Sequence, residues 1–268
     1  MLKHRNLTAG LLFGLAACAA SFAAQAHQIW FEQDGKGLTF RYGELEPNMH
    51  EVTPGGLDRF VALKATWVDA KGAHPFGLTK RQDHFELPAG VSPKPGDSLL
   101  AIDESYPMFD SEHDGKPTPT WWVPATRWVG DFSARQASLP LDIVPTGKAH
   151  DGKVEFQVSF LGEPLAGERI ELAAASGWTF HANTDVDGKV SFSLPWRDTY
   201  AVGLYFVEDE DGTRKLPGQA PQPYGLHGYN TTLAFHTATG LPPLPVAPKT
   251  LPASELKRLG MSLPKKHD

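Results

Sequence analysis

The stretch Val154-Glu155-Phe156-Gln157-Val158-Ser159-Phe160 puts every second residue on one apolar face: Val154, Phe156, Val158 and Phe160. A helix would scatter those side chains around its circumference, whereas a half-buried strand gathers them on one side. Val190-Ser191-Phe192-Ser193-Leu194 repeats the alternation, and Tyr200 to Val207 is a longer β-branched and aromatic run. Gly162-Glu163-Pro164, Asp187-Gly188-Lys189 and Asp211-Gly212 separate these runs with turn residues. Short strands at such spacing predict a β-sandwich, with Tyr229 to His236 as its closing strand.

The first half has the same grammar at looser spacing. Gln28–Gln33, Leu38–Tyr42, Phe60–Val68, His84–Leu87, Ser98–Asp103 and Trp121–Trp128 are expected strands. Gly35 to Gly37, Pro54-Gly55-Gly56 and Asp69 to Gly72 divide them. Ser133 to Pro140 is polar and lacks alternation, as a linker does. The expected organisation is all-β, with two immunoglobulin-like or transthyretin-like sandwich domains over 27–138 and 139–240. A Pro-rich, then Lys-rich tail over 241–268 follows, extended or disordered, with one helical turn at Ser254 to Leu259.

The first 26 residues read as a secretory signal. Lys3 and Arg5 open it, Leu7 to Ala17 is apolar, and Ala24-Gln25-Ala26 is a small-residue cleavage site. Cleavage after Ala26 makes His27 the first residue of an exported, periplasmic protein. A second reading takes Leu15-Ala16-Ala17-Cys18 as a lipobox, which would leave a lipoprotein anchored at Cys18. No later segment has the roughly 20 apolar residues of a membrane-spanning helix. Cys18 is the only cysteine, so the chain after Ala26 has no disulfide, thiolate metal site or cysteine nucleophile. Losing Lys3 and Arg5 moves the net charge from −6 to −8. An acidic chain without a basic run has no electrostatic footprint for nucleic acid.

"GEPLAGERIEL", "TDVDGKVSFSLP" and "TYAVGLYFVED" in the second half resemble the transthyretin-like and carboxypeptidase-regulatory-like sandwiches. A wider set of motifs is "AHQIWFEQ", "YGELEPNMHEVTPGGLDRF", "DESYPMFD", "LDIVPTGK", "SGWTFHANTDVDGKVSFSLPWRDTY" and "YNTTLAFHT". Together they resemble a bacterial periplasmic family of unknown function catalogued as NikM-like nickel-uptake components, over nearly all of 27–245. The resemblance implies the sandwich fold, an exported compartment and a link to nickel uptake, and it supplies no set of functional residues. Its members often begin with a histidine followed by an aromatic residue two or three positions on, as His27 and Trp30 do here.

Histidine is the functional residue type present in quantity, but no pair has HExxH or His-x-His spacing, so a metal site must be assembled from separate strands. His27 is the first candidate. A free N-terminal histidine offers its amine and a ring nitrogen to one metal ion; such nitrogen ligands suit copper, nickel or zinc, and nickel, cobalt or copper is the expected metal. His50, beside Glu46 and Glu51 in a loop, and His113, between Glu112 and Asp114, are the candidate second ligands. Glu44 and Glu46 are further candidates, although residues of all four kinds are more often solvated turn residues. Asp185 to Gly188 and Glu208 to Gly212 lack the oxygen set of an EF-hand and read as turns. Trp121 and Trp122 must face opposite ways on a strand, which favours core packing over a flat sugar-binding platform.

Without a nucleophile elbow or nucleotide fingerprint, binding is favoured over catalysis. The expected function is a periplasmic transition-metal-binding protein in metal uptake or handling, partnered by an envelope transporter or receptor. Two other classes stay open: an immunoglobulin-like interaction module without metal, and a copper oxygenase whose N-terminal histidine forms a brace with a second histidine.

Overall fold

The strand Leu226–His236 shows how the chain is layered. Leu233 and Phe235 point into one apolar core, and Ala234 between them points into another. A strand buried on both faces needs no polar alternation, and every residue from Leu226 to Phe235 is buried. In the computed structural model, which describes residues 27–35 and 37–261, this strand lies in the middle of a sheet shared by both halves of the chain.

The first sheet contains β1 (Gln28–Asp34), β2 (Gly37–Glu44), β3 (Met49–His50), β6 (Thr79–Lys80) and β7 (Phe85–Glu86). The central sheet takes β4 (Lys64–Asp69), β5 (Gly72–Phe76), β8 (Ser98–Ile102), β9 (Phe109–His113) and β10 (Lys116–Val129) from the first half. From the second half it takes β14 (Arg169–Ala174), β15 (Thr179–Asn183), β17 (Thr199–Glu208) and β20 (Leu226–His236). The third sheet is β11 (Leu141–His150), β12 (Lys153–Phe160), β13 (Glu163–Pro164) and β16 (Lys189–Ser193), and β18 (Gly212–Arg214) pairs with β19 (Gln222–Tyr224) alone. The described chain is an all-β sandwich with one short helix, α1 (Ala253–Arg258).

Period-two alternation divides the central sheet between two cores. Trp122 and Trp128 of β10, Ala173 of β14, Ala201 of β17 and Ala234 of β20 join the first sheet's Trp30, Phe31, Phe40 and Tyr42. Val123 and Val129, Leu172, Val202 and Leu233 face the other way, onto Phe156 and Val158 of β12 and Phe192 of β16. Small residues on the first face let the first sheet approach closely, and Thr232 Oγ1 donates to the Ile29 carbonyl at 2.6 Å across that contact.

Residues 130–140 are irregular, as expected of a linker. Yet β10, before that stretch, runs parallel to β20 after it, in register from Thr120 with Leu226 to Trp128 with Ala234. Main-chain hydrogen bonding therefore crosses the expected boundary. A protease cut within 133–140 should leave both halves in one particle. Size-exclusion chromatography of the nicked protein should give a single peak at the intact volume, and release of either half under native conditions would contradict the shared sheet.

The tail does more than extend. The amide of His50 donates to the Thr250 carbonyl at 3.1 Å, and the Thr250 amide donates to Asn48 at 3.0 Å. Beyond this bridge α1 buries Leu256 against the body of the protein. Among the described residues no helix is long and apolar enough to cross a membrane.

Candidate functional site

His27 sits where pairing of β1 with β2 begins. Gln28 lies opposite Gly43, so His27 comes level with Glu44. On the other edge of β2, Gly43 lies opposite His50, and the Glu51 amide donates to the Tyr42 carbonyl at 2.9 Å. Tyr42, Glu44, Glu51 and His27 thereby converge on one face, while His50 goes to the other. The His27 ring lies 5.3 Å from that of Tyr42. Its Nε2 is 2.9 Å from Glu51 Oε1, and its Nδ1 is 3.3 Å from Glu44 Oε1.

The two carboxylates have different surroundings. Glu51 is largely buried, and its second oxygen accepts the Gly56 amide at 3.2 Å. A Cβ on Gly56 would lie 2.3 Å from that oxygen, so glycine is what admits the carboxylate here. Glu51 is thus a fixed acceptor for an Nε2 proton. Glu44 is more open, and burial raises its pKa, opposed by the attraction of His27. One metal ion cannot use both nitrogens of one ring. The arrangement instead divides them, with Nε2 against Glu51 and Nδ1 on the side where Glu44 stands.

A cleft of about 650 Å³ opens beside His27. Tyr42, Tyr106 and Trp122 form its aromatic wall, and Pro252 to Glu255 at the start of α1 close another side. The Tyr42 and Tyr106 hydroxyls are 2.8 Å apart, and Arg59 Nη1 donates to Tyr106 Oη at 3.3 Å. Burial, then the neighbouring Tyr106, raises the Tyr42 pKa far above its ordinary value, so this hydroxyl stays protonated.

The other two candidate ligands lie elsewhere. His50 is buried against Trp30, with ring centroids 5.7 Å apart, and its Nε2 is 2.9 Å from Asn48 Oδ1. Its pKa is lowered to about 3 by burial and then by the charges of Lys249 and Arg41, surroundings that also disfavour a metal cation. His113 is at the end of β9, with Nε2 3.1 Å from Asp209 Oδ2. His27, His50 and His113 are therefore not brought together, and the groups touching His27 are two glutamates and a tyrosine. Glu44 was a candidate from sequence. The part played by Glu51 becomes visible only through the register of β2 and β3.

No protein-family model, no curated protein and no solved structure matches this chain.

Proposed function

We propose that this is a periplasmic transition-metal-binding protein, serving metal uptake or handling, whose ion is held at a mature N-terminus by His27. The amine and Nδ1 of His27 close a six-membered chelate, Glu44 adds an oxygen, and Glu51 fixes the ring by accepting its Nε2 proton. The observation that carries this reading is the division of the ring between a buried, amide-anchored Glu51 and a more open Glu44. Metal-bound histidines characteristically give their second N–H to such a carboxylate. Cleavage after Ala26 and the alternative at Cys18 fall outside the described residues, and the free amine belongs to the proposal.

Two nitrogens and a carboxylate suit Cu(II), Ni(II) or Co(II), with copper the tightest in any such site. Nickel or cobalt is in keeping with the NikM-like sequence motifs, and an envelope transporter or receptor is the corresponding partner. A copper oxygenase brace would need a second imidazole, whereas the donors beside His27 are carboxylates.

The test uses Cu(II) and Ni(II) titrations of protein beginning at His27. Glu51→Gln should weaken binding by roughly 10–100-fold, the usual effect of losing a ligand's supporting hydrogen bond. One added N-terminal glycine, which displaces the amine and keeps the ring, should weaken it more. Binding should also fall on acidification, because both nitrogens coordinate only without a proton. Unchanged affinity at this site in the glycine-extended protein would overturn the reading.

A further inference from the structure

A second set of metal-ligating side chains gathers where β17 ends beside the start of β20. Glu208 lies directly opposite His227 in the antiparallel register. Glu210 follows two residues on, in the acidic stretch that reads from sequence as a turn. One ring nitrogen of His227 and one carboxylate oxygen from each glutamate lie within 4.8 Å of one another. The three residues differ in exposure: His227 is buried, Glu208 half-buried and Glu210 exposed. That gradient gives an ion an open approach ending at a buried nitrogen.

The histidine itself supplies a second observation. His227 is only 7% exposed, and its ring stacks on Trp121 at 4.0 Å and 10°. Its Nδ1 is 2.9 Å from the Tyr229 hydroxyl, whereas its Nε2 is buried with no hydrogen-bond partner. Buried polar atoms are almost always satisfied, so the orphaned Nε2 calls for a partner. With Nδ1 against the Tyr229 hydroxyl, Nε2 is the ring nitrogen left without a partner.

We propose that Glu208, Glu210 and His227 form a second metal site, separate from His27, for a divalent transition-metal ion of the Zn(II) type. One imidazole and two carboxylates are a donor set that zinc accepts, with water completing the coordination. His113 approaches the rim through Asp209, which lies between the two glutamates in sequence. The site rests on no assumption about the N-terminus.

Zn(II) titration of four forms tests it: protein beginning at His27, the glycine-extended protein, Glu210→Gln, and the two changes combined. The glycine-extended protein should keep one equivalent of zinc that Glu210→Gln removes or weakens by tenfold or more. Glu210 is exposed, so this variant should keep its circular dichroism and melting profile without metal. A ¹⁵N shift of the His227 ring nitrogens on adding zinc should accompany binding. Zinc binding that is indifferent to Glu210→Gln, or a His227 ring that does not respond to zinc, would overturn the site. Loss of one of two equivalents on glycine extension reports on His27, whereas loss of all zinc binding in that form would overturn this site.

Discussion

Replacing Asp142 with alanine should cost about 3–5 kcal/mol of folding stability, the usual consequence of stripping a buried charge of its partner. Asp142 is fully buried at the start of β11, and Arg127 on β10 is 2% exposed. The guanidinium meets the carboxylate with two bonds, Nε to Oδ1 at 3.1 Å and Nη2 to Oδ2 at 2.6 Å. Oδ2 also accepts the amides of Ser138 and Leu139, and Arg127 reaches Ser138 Oγ and the Gln136 carbonyl. The pair therefore pins the irregular stretch before β11 to the central sheet. Asp142→Asn keeps an acceptor and loses the charge, so it should fall between alanine and the unaltered protein. Arg127→Met with Asp142→Leu should cost less than Asp142→Ala, because no charge is left buried alone. Urea unfolding of these variants checks the order, and a stability unchanged by Asp142→Ala would show that the pair is not formed in solution.

Acid should weaken the fold through His50 as well. The Nε2–H of this ring donates to Asn48 Oδ1, and Nδ1 is buried without a partner, so a second proton has no acceptor. Its pKa falls from 6.5 to about 3 on folding. Between those values the unfolded chain binds the proton and the folded one does not, so stability is complete above pH 6.5 and declines as pH falls. The loss amounts to about 2 kcal/mol by pH 5 and about 4 kcal/mol near pH 3, at 1.36 kcal/mol per pH unit. His50→Gln removes this dependence and leaves the carboxylates to titrate as before. The variant's urea midpoint should therefore change less than the unaltered protein's between pH 7 and pH 5. Identical pH profiles would show that His50 is not buried in its neutral form. Because the His50 amide also bonds to Thr250, the same acid step should loosen the tail bridge that leads to α1.

Several elements were legible from local pattern. The alternation of Val154 to Phe160 became β12, Val190 to Leu194 covers most of β16, and Tyr200 to Val207 lies inside β17. The helical turn expected at Ser254 to Leu259 is α1, shifted by one residue. The run Phe60 to Val68 was less reliable. A 3-10 turn at Gly56–Arg59 delivers Phe60 to the first core, against Tyr42 and Phe85, and the strand begins only at Lys64. Apolar spacing there reflects burial in a loop, which period-two reading cannot tell from a strand.

The candidate sites show the same division. His27 stood out because of its place beside a cleavage motif, and Glu44 was in view as a carboxylate near it. His50 and Glu51 are neighbours in sequence, yet strand geometry sends them to opposite faces, and only Glu51 reaches His27. Glu208 to Gly212 looked like a turn because its partner, His227, arrives from a different strand. The sequence by itself determined that the chain is built of strands, because side-chain alternation and turn chemistry act between near neighbours. Only the tertiary structure decided that β10 and β20 join both halves in one sheet, and which carboxylates meet which imidazole. Those outcomes depend on register between segments far apart in the chain, and register is set by how whole faces bury against each other.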